Sequence, residues 1–153
     1  MIKRGQFRVA KSAIDSDALK DWVRRAIAAT EACARGGIGK ERIGRLLSRA
    51  PGDADGFWPH SAVGDLIEEI ATKDFEDGIE VGVFNNRGVF TKSLTEGGRQ
   101  EHAFAEQYSA SAVAVAHRWP RTASMLRRLA DRYRAYGREE DTEAELRQDG
   151  IWS

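Results

Sequence analysis

Apolar side chains recur along most of this chain at three- and four-residue spacing, the signature of helices buried on one side, and one stretch departs from it. After Asp15, Ser16 and Asp17, residue types that accept from the free N–H groups of a helix start, Leu19, Trp22, Val23, Ala26, Ile27 and Thr30 fall on one stripe. Arg24, Arg25 and Arg35 lie off that stripe, and Gly36-Gly37 supplies a stop. The pattern predicts a helix over residues 15–35. A shorter helix over Gly39–Arg49 follows, with Ile38, Ile43, Leu46 and Leu47 as its apolar side and Lys40, Arg42, Arg45 and Arg49 as its basic side. Residues 50–56 hold one Pro, two Gly and two Asp and read as a linker.

Phe57-Trp58-Pro59-His60-Ser61 opens a third helix, since proline suits a first helical turn. Val63, Leu66, Ile67, Ile70 and Phe75 are its stripe, and Asp77-Gly78 closes it. Ile79-Glu80-Val81-Gly82-Val83-Phe84 then alternates with period two, Asn85-Asn86-Arg87-Gly88 suits a turn, and residues 89–94 return. This predicts a β-hairpin. A two-stranded ribbon alone is marginal in water, so it is expected to pack on a helix or pair with residues 1–14 or another chain. Residues 99–118 read as a helix on Phe104, Tyr108, Ala112 and Val115. Trp119-Pro120 interrupts, and a last helix runs on Ala123, Leu126, Leu129, Ala130, Tyr133 and Tyr136 to Gly137, or onward to about Gln148.

The fold class expected from these elements is α+β, mainly α: five helices, one β-hairpin and a helical hairpin at the C-terminus. The expected organisation is a basic helical unit over residues 1–50, a linker over 51–56 and a core over 57–148. A chain of 153 residues can bury roughly 70% of its unfolded surface, enough for one core. With 41% hydrophobic and 31% charged residues it is not collagen-like, wholly disordered or a disulfide scaffold. No apolar run approaches the ~20 residues of a membrane span, and the basic start, Lys3 and Arg4, has no apolar segment behind it. The single cysteine, Cys33, has no internal partner, so a cytoplasmic protein without membrane contact is expected.

Charge sharpens the picture. The 24 basic and 24 acidic residues cancel, but they are arranged in blocks: +7 over residues 1–52, −7 over 53–98, +5 over 99–138 and −5 over 139–153. Such blocks either neutralise one another in the fold or present separate charged faces to partners. The candidate binding residues are Lys40, Arg42, Arg45 and Arg49, Arg87 at the hairpin tip, and Arg118, Arg121, Arg128 and Arg132. The last four share one helix side and carry the fork that pairs with carboxylate or phosphate.

The catalytic motifs are weak. Gly36-Gly37-Ile38-Gly39-Lys40 lacks the spacing and the Ser or Thr of a phosphate loop, since Glu41 follows the lysine. His102 with Glu101 or Glu106 is the best acid–base group, and His117 lies too far along the helix to complete a metal site. Cys33 sits at a helix C-terminus, which disfavours a thiolate. No cofactor and no metal are expected. The leading expectation is a non-enzymatic accessory or adaptor subunit that binds another protein through charged faces and a hairpin edge. A nucleic-acid-binding module built on residues 15–49 and the arginine-rich helix is the alternative, and a His- or metal-dependent enzyme is the third reading.

Overall fold

Two of the helices begin on a side chain that accepts from a free N–H of the first turn, and two end at or just before a non-glycine residue with positive φ. A computed structural model describes residues 14–53, 56–87, 92–93 and 96–150. The Asp15 carboxylate accepts from the Ala18 N–H at 3.0 Å and opens α1 (Ser16–Ala32). Ala34 takes a positive φ of 56°, and α2 (Gly36–Leu47) then packs back along α1. His60 caps α3 (Ser61–Ile70): its Nδ1 accepts from the Ala62 N–H at 3.1 Å. Pro59, expected as the first helical residue, lies just ahead of it in a cis peptide bond with Trp58. Ala71, at φ 49°, and the extended Thr72 separate α3 from α4 (Lys73–Asn86). α5 (Arg99–Val115) and α6 (Pro120–Gln148) form the expected C-terminal helical hairpin. Pro120 stands in the first turn of α6, where a missing N–H breaks no intrahelical bond.

Among the described residues the fold is all-helical, with six helices and no strand. This corrects the α+β reading. Residues 79–84, expected as the first strand of a hairpin, lie inside α4. Of the expected return strand, residues 89–91 and 94 lie outside the described residues, as does Gly88 of the expected turn, and Lys92 and Ser93 are in neither helix nor strand. The single helix expected from Pro59 to Asp77 is two helices, broken at Ala71.

The physical reason lies in what surrounds α4. Phe75, Ile79 and Val83, four residues apart, bury one side of it. Gly78 and Gly82 form a second side on which α2 lies almost backbone to backbone. A Cβ on Gly78 would stand 2.1 Å from the Glu41 carbonyl oxygen, and one on Gly44 of α2 would stand 2.3 Å from that of Phe75. Glu76 and Glu80, each 2% exposed, form a third side, toward α6. A helix enclosed on three sides has no single apolar stripe, and its valines and glycines imitate strand alternation.

One hydrophobic cluster runs through the molecule. Val23 and Ile27 of α1 and Ile43 and Leu47 of α2 join it with Leu66 and Ile67 of α3, Ile79 of α4 and Leu126 and Leu129 of α6. The packing therefore crosses residues 51–56. Trp22, expected on the inner stripe, is 42% exposed, while its neighbour Val23 is fully buried. Gly137 does not end α6. It lets α5 approach, since a Cβ on Gly137 would meet the His102 ring at 2.8 Å.

Candidate functional site

The basic residues singled out by the sequence divide into those that the fold neutralises and those that it leaves outward. Arg121, Arg128 and Arg132 of α6 face the acids of α4. Arg121 Nε donates to Glu76, and Arg128 bridges both acids, with Nη2 2.7 Å from Glu76 Oε2 and Nε 2.9 Å from Glu80 Oε1. Arg132 approaches Glu80 at 3.7 Å. The arginines keep 38–47% of their side-chain surface in solvent, but the carboxylates are buried, so this array ties α4 to α6. Arg118 stacks 4.2 Å above the Trp119 ring and lies 3.7 Å from Asp65. Asp65 is also met by Lys20 Nζ at 2.7 Å and the Trp119 indole N–H at 2.7 Å. Burial raises its pKa, but these hydrogen bonds outweigh burial and hold the carboxyl below its ordinary value.

Arg87, expected at a hairpin tip, follows the last turn of α4 and turns inward with 6% of its side chain exposed. It pairs with Glu101 and lies over the rings of Phe104 and Tyr133, 4.9 and 5.7 Å from their centroids. Lys92 Nζ reaches the same Glu101 oxygen at 2.7 Å. Burial works to raise the pKa of Glu101, yet the hydrogen bonds from Lys92 and Arg87 prevail and keep it ionised below the usual carboxylate range. Glu101 is therefore not available to His102. The imidazole instead meets Asp141 at 2.8 Å, Nε2 to Oδ2, and the Asp141 Oδ1 accepts from the Gly98 N–H at 2.7 Å. The hydrogen bond from His102 is the main cause holding Asp141 below its ordinary pKa. Glu106, the other expected partner, points to solvent with its side chain 80% exposed, 4.0 Å from Arg134. The His102–Glu101 and His102–Glu106 pairs are thus corrected to a His102–Asp141 pair that ties the start of α5 to α6. No group of three metal-ligating side chains occurs among the described residues.

On α2 the four candidates separate by direction. Lys40 pairs with Glu31 of α1 at 3.0 Å, and Arg45 with Glu41 one turn back. Arg42 and Arg49 are exposed and make no ion pair among the described residues. They alternate with Ile38 and Leu46, which are 57% and 54% exposed. Positions 38, 42 and 46 are spaced four apart and so lie on one side of the helix, and Arg49 follows in the turn just past its end. The sequence had placed Ile38 and Leu46 on the inner side. The fold instead turns Ile43 and Leu47 inward and leaves Ile38 and Leu46 out.

At its C-terminal end this stripe leads to a pocket. Arg49, Ser48, Asn85 and Asn86 line a shallow depression that shares Ser48 and Asn86 with a deeper cavity of about 220 Å³. The walls of the cavity are aromatic. The Tyr108 and Tyr133 rings stack with centroids 5.7 Å apart, Trp58 meets Tyr108 edge-on at 6.2 Å, and Phe104 leans on Tyr133 at 5.3 Å. Periodicity had placed Phe104, Tyr108 and Tyr133 inward, but that these rings border a cavity had no sequence signal, because they come from two helices and meet Trp58 from a loop.

No helix among the described residues is long and apolar enough to cross a membrane. No protein-family model matches the chain, and no curated protein and no solved structure matches it.

Proposed function

We propose that the protein is a non-enzymatic accessory subunit that docks onto another protein through the outward stripe of α2. The observation behind this reading is the pairing of two half-exposed aliphatic side chains, Ile38 and Leu46, with two outward arginines, Arg42 and Arg49, that no carboxylate of the described fold meets. An amphipathic helix face of this kind suits a groove that is apolar at its floor and acidic at its rim. The hairpin edge once expected to take up a partner strand has no part in it, because residues 79–84 are helical. Nucleic-acid binding is weaker as a reading for two reasons. Arg121 and Arg128 are engaged by buried carboxylates, and phosphates give no use to Ile38 and Leu46.

The test is capture from a lysate of the native host, with and without nuclease, comparing the natural chain with Ile38→Asp/Leu46→Asp. The expected result is a protein that is retained after nuclease treatment and lost in the double variant. Capture that vanishes with nuclease, or that the variant leaves unchanged, overturns the reading. A sharp loss of duplex or single-strand binding between about 50 and 200 mM salt would assign the face to phosphates instead.

A further inference from the structure

The cavity beside α2 has polar groups that the fold does not use. Trp58 is fixed in its wall by an indole N–H that donates to the Ala50 carbonyl at 3.2 Å. Ser48 donates to the Arg45 carbonyl at 2.6 Å and accepts from Asn86 Nδ2 at 2.8 Å. The side-chain oxygen of Asn86 therefore stays open as an acceptor. Tyr133 is 1% exposed, and neither its hydroxyl nor that of Tyr108 is hydrogen-bonded to a described residue. Both hydroxyls reach the open space of the cavity, and cavities lined by aromatic rings with a few such groups are where small molecules bind. Burial raises the pKa of both phenols, so they are neutral donors. The single charged residue in the lining, Arg87, is already matched by the buried Glu101.

We infer that this cavity is a binding site for an uncharged, flat ring compound whose edge carries a carboxamide-like donor and acceptor. The ring stacks among Trp58, Phe104 and Tyr108. The donor meets the Asn86 oxygen, and the acceptor takes a tyrosine hydroxyl. A carboxylate ligand would set its oxygens against the open Asn86 oxygen, acceptor against acceptor, and would meet an Arg87 that already faces the buried Glu101. A cationic ligand would find no carboxylate in the lining. The volume of about 220 Å³ limits the occupant to a single substituted ring, below the usual range for drug-sized ligands.

The probes are benzamide, benzoate and benzylamine, titrated into the intact chain by calorimetry and ligand-observed NMR. Benzamide is expected to bind saturably at one site and about tenfold or more tighter than either charged analogue. Asn86→Ala and Tyr108→Phe each remove one hydrogen-bonding group and are expected to weaken benzamide about 3- to 10-fold with the melting temperature little changed. Val83→Phe fills the cavity and is expected to abolish binding. If that variant unfolds, the two polar variants carry the test. Benzoate or benzylamine binding as well as benzamide, no saturable benzamide binding, or affinities unmoved in Asn86→Ala and Tyr108→Phe would overturn the inference.

Discussion

Arginines on α2 and arginines on α6 have the same chemistry and the same helical spacing, and the fold gives them opposite uses. On α6, Arg121 and Arg128 project onto Glu76 and Glu80, two carboxylates that are 2% exposed. Removing Arg128 would leave Glu76 to Arg121 alone and Glu80 to the more distant Arg132, so both buried charges would be less well matched. Arg42 on α2 and Arg49 in the turn after it face outward with no acid of the described residues beside them, so their charge remains available to a partner. A basic stripe is thus a binding face only where no acid from elsewhere in the fold has reached it first.

Four measurements test that contrast, beginning with the scale of the core itself. Leu129→Ala, at a fully buried site in the main cluster, is expected to cost roughly 2–5 kcal/mol in urea unfolding. Arg128→Ala comes next, at about 2–4 kcal/mol. That is somewhat below the ~3–5 kcal/mol for breaking a fully buried pair, because the arginine is partly hydrated. A cost under ~1 kcal/mol would mean that Glu76 and Glu80 find water instead, and that the two helices do not differ.

Acid should act through Glu101 rather than through α2. Its folded pKa is depressed, so the stability it contributes is present above its ordinary value of 4.5 and is lost as pH falls through the lower folded value. Glu101→Gln is expected to flatten the stability–pH curve on the acidic side of 4.5 and to lower stability at neutral pH, because Arg87 and Lys92 lose their shared acceptor. An unchanged acid slope in that variant would remove Glu101 from the list of groups that drive acid unfolding. The smallest effect belongs to Arg42→Ala/Arg49→Ala, expected to shift stability by no more than about 0.5 kcal/mol while weakening partner capture and its salt dependence. A loss comparable to that of Arg128→Ala would show that these side chains are structural after all.

The same contrast marks how far the sequence could be read. The starts of α1 at Asp15 and α6 at Pro120 were legible because an N-cap carboxylate and a first-turn proline act locally. So were the inward positions of Val23, Leu66, Leu126 and Tyr133, because burial on one side writes a 3.6-residue period. The stripe of Ile38 and Leu46 was misplaced because α2 is short and apolar residues occupy more than one of its sides. α4 was misread as a strand because burial on three sides erases the period, and Gly78 and Gly82 look alike in a strand, a turn and a close helix crossing.

By itself, then, the sequence determined where most helices begin, which residues of the amphipathic ones turn inward, and that the basic and acidic residues lie in opposing blocks. Tertiary structure alone decided which charges meet and which glycines touch a backbone. Arg121 and Arg128 find Glu76 across 45 and 52 residues of chain, and Gly44 and Gly78 matter only because α2 and α4 cross there. The reason is physical: periodicity and capping act within a turn or two, whereas the burial of a carboxylate or the room for a Cβ depends on whatever the rest of the chain brings alongside.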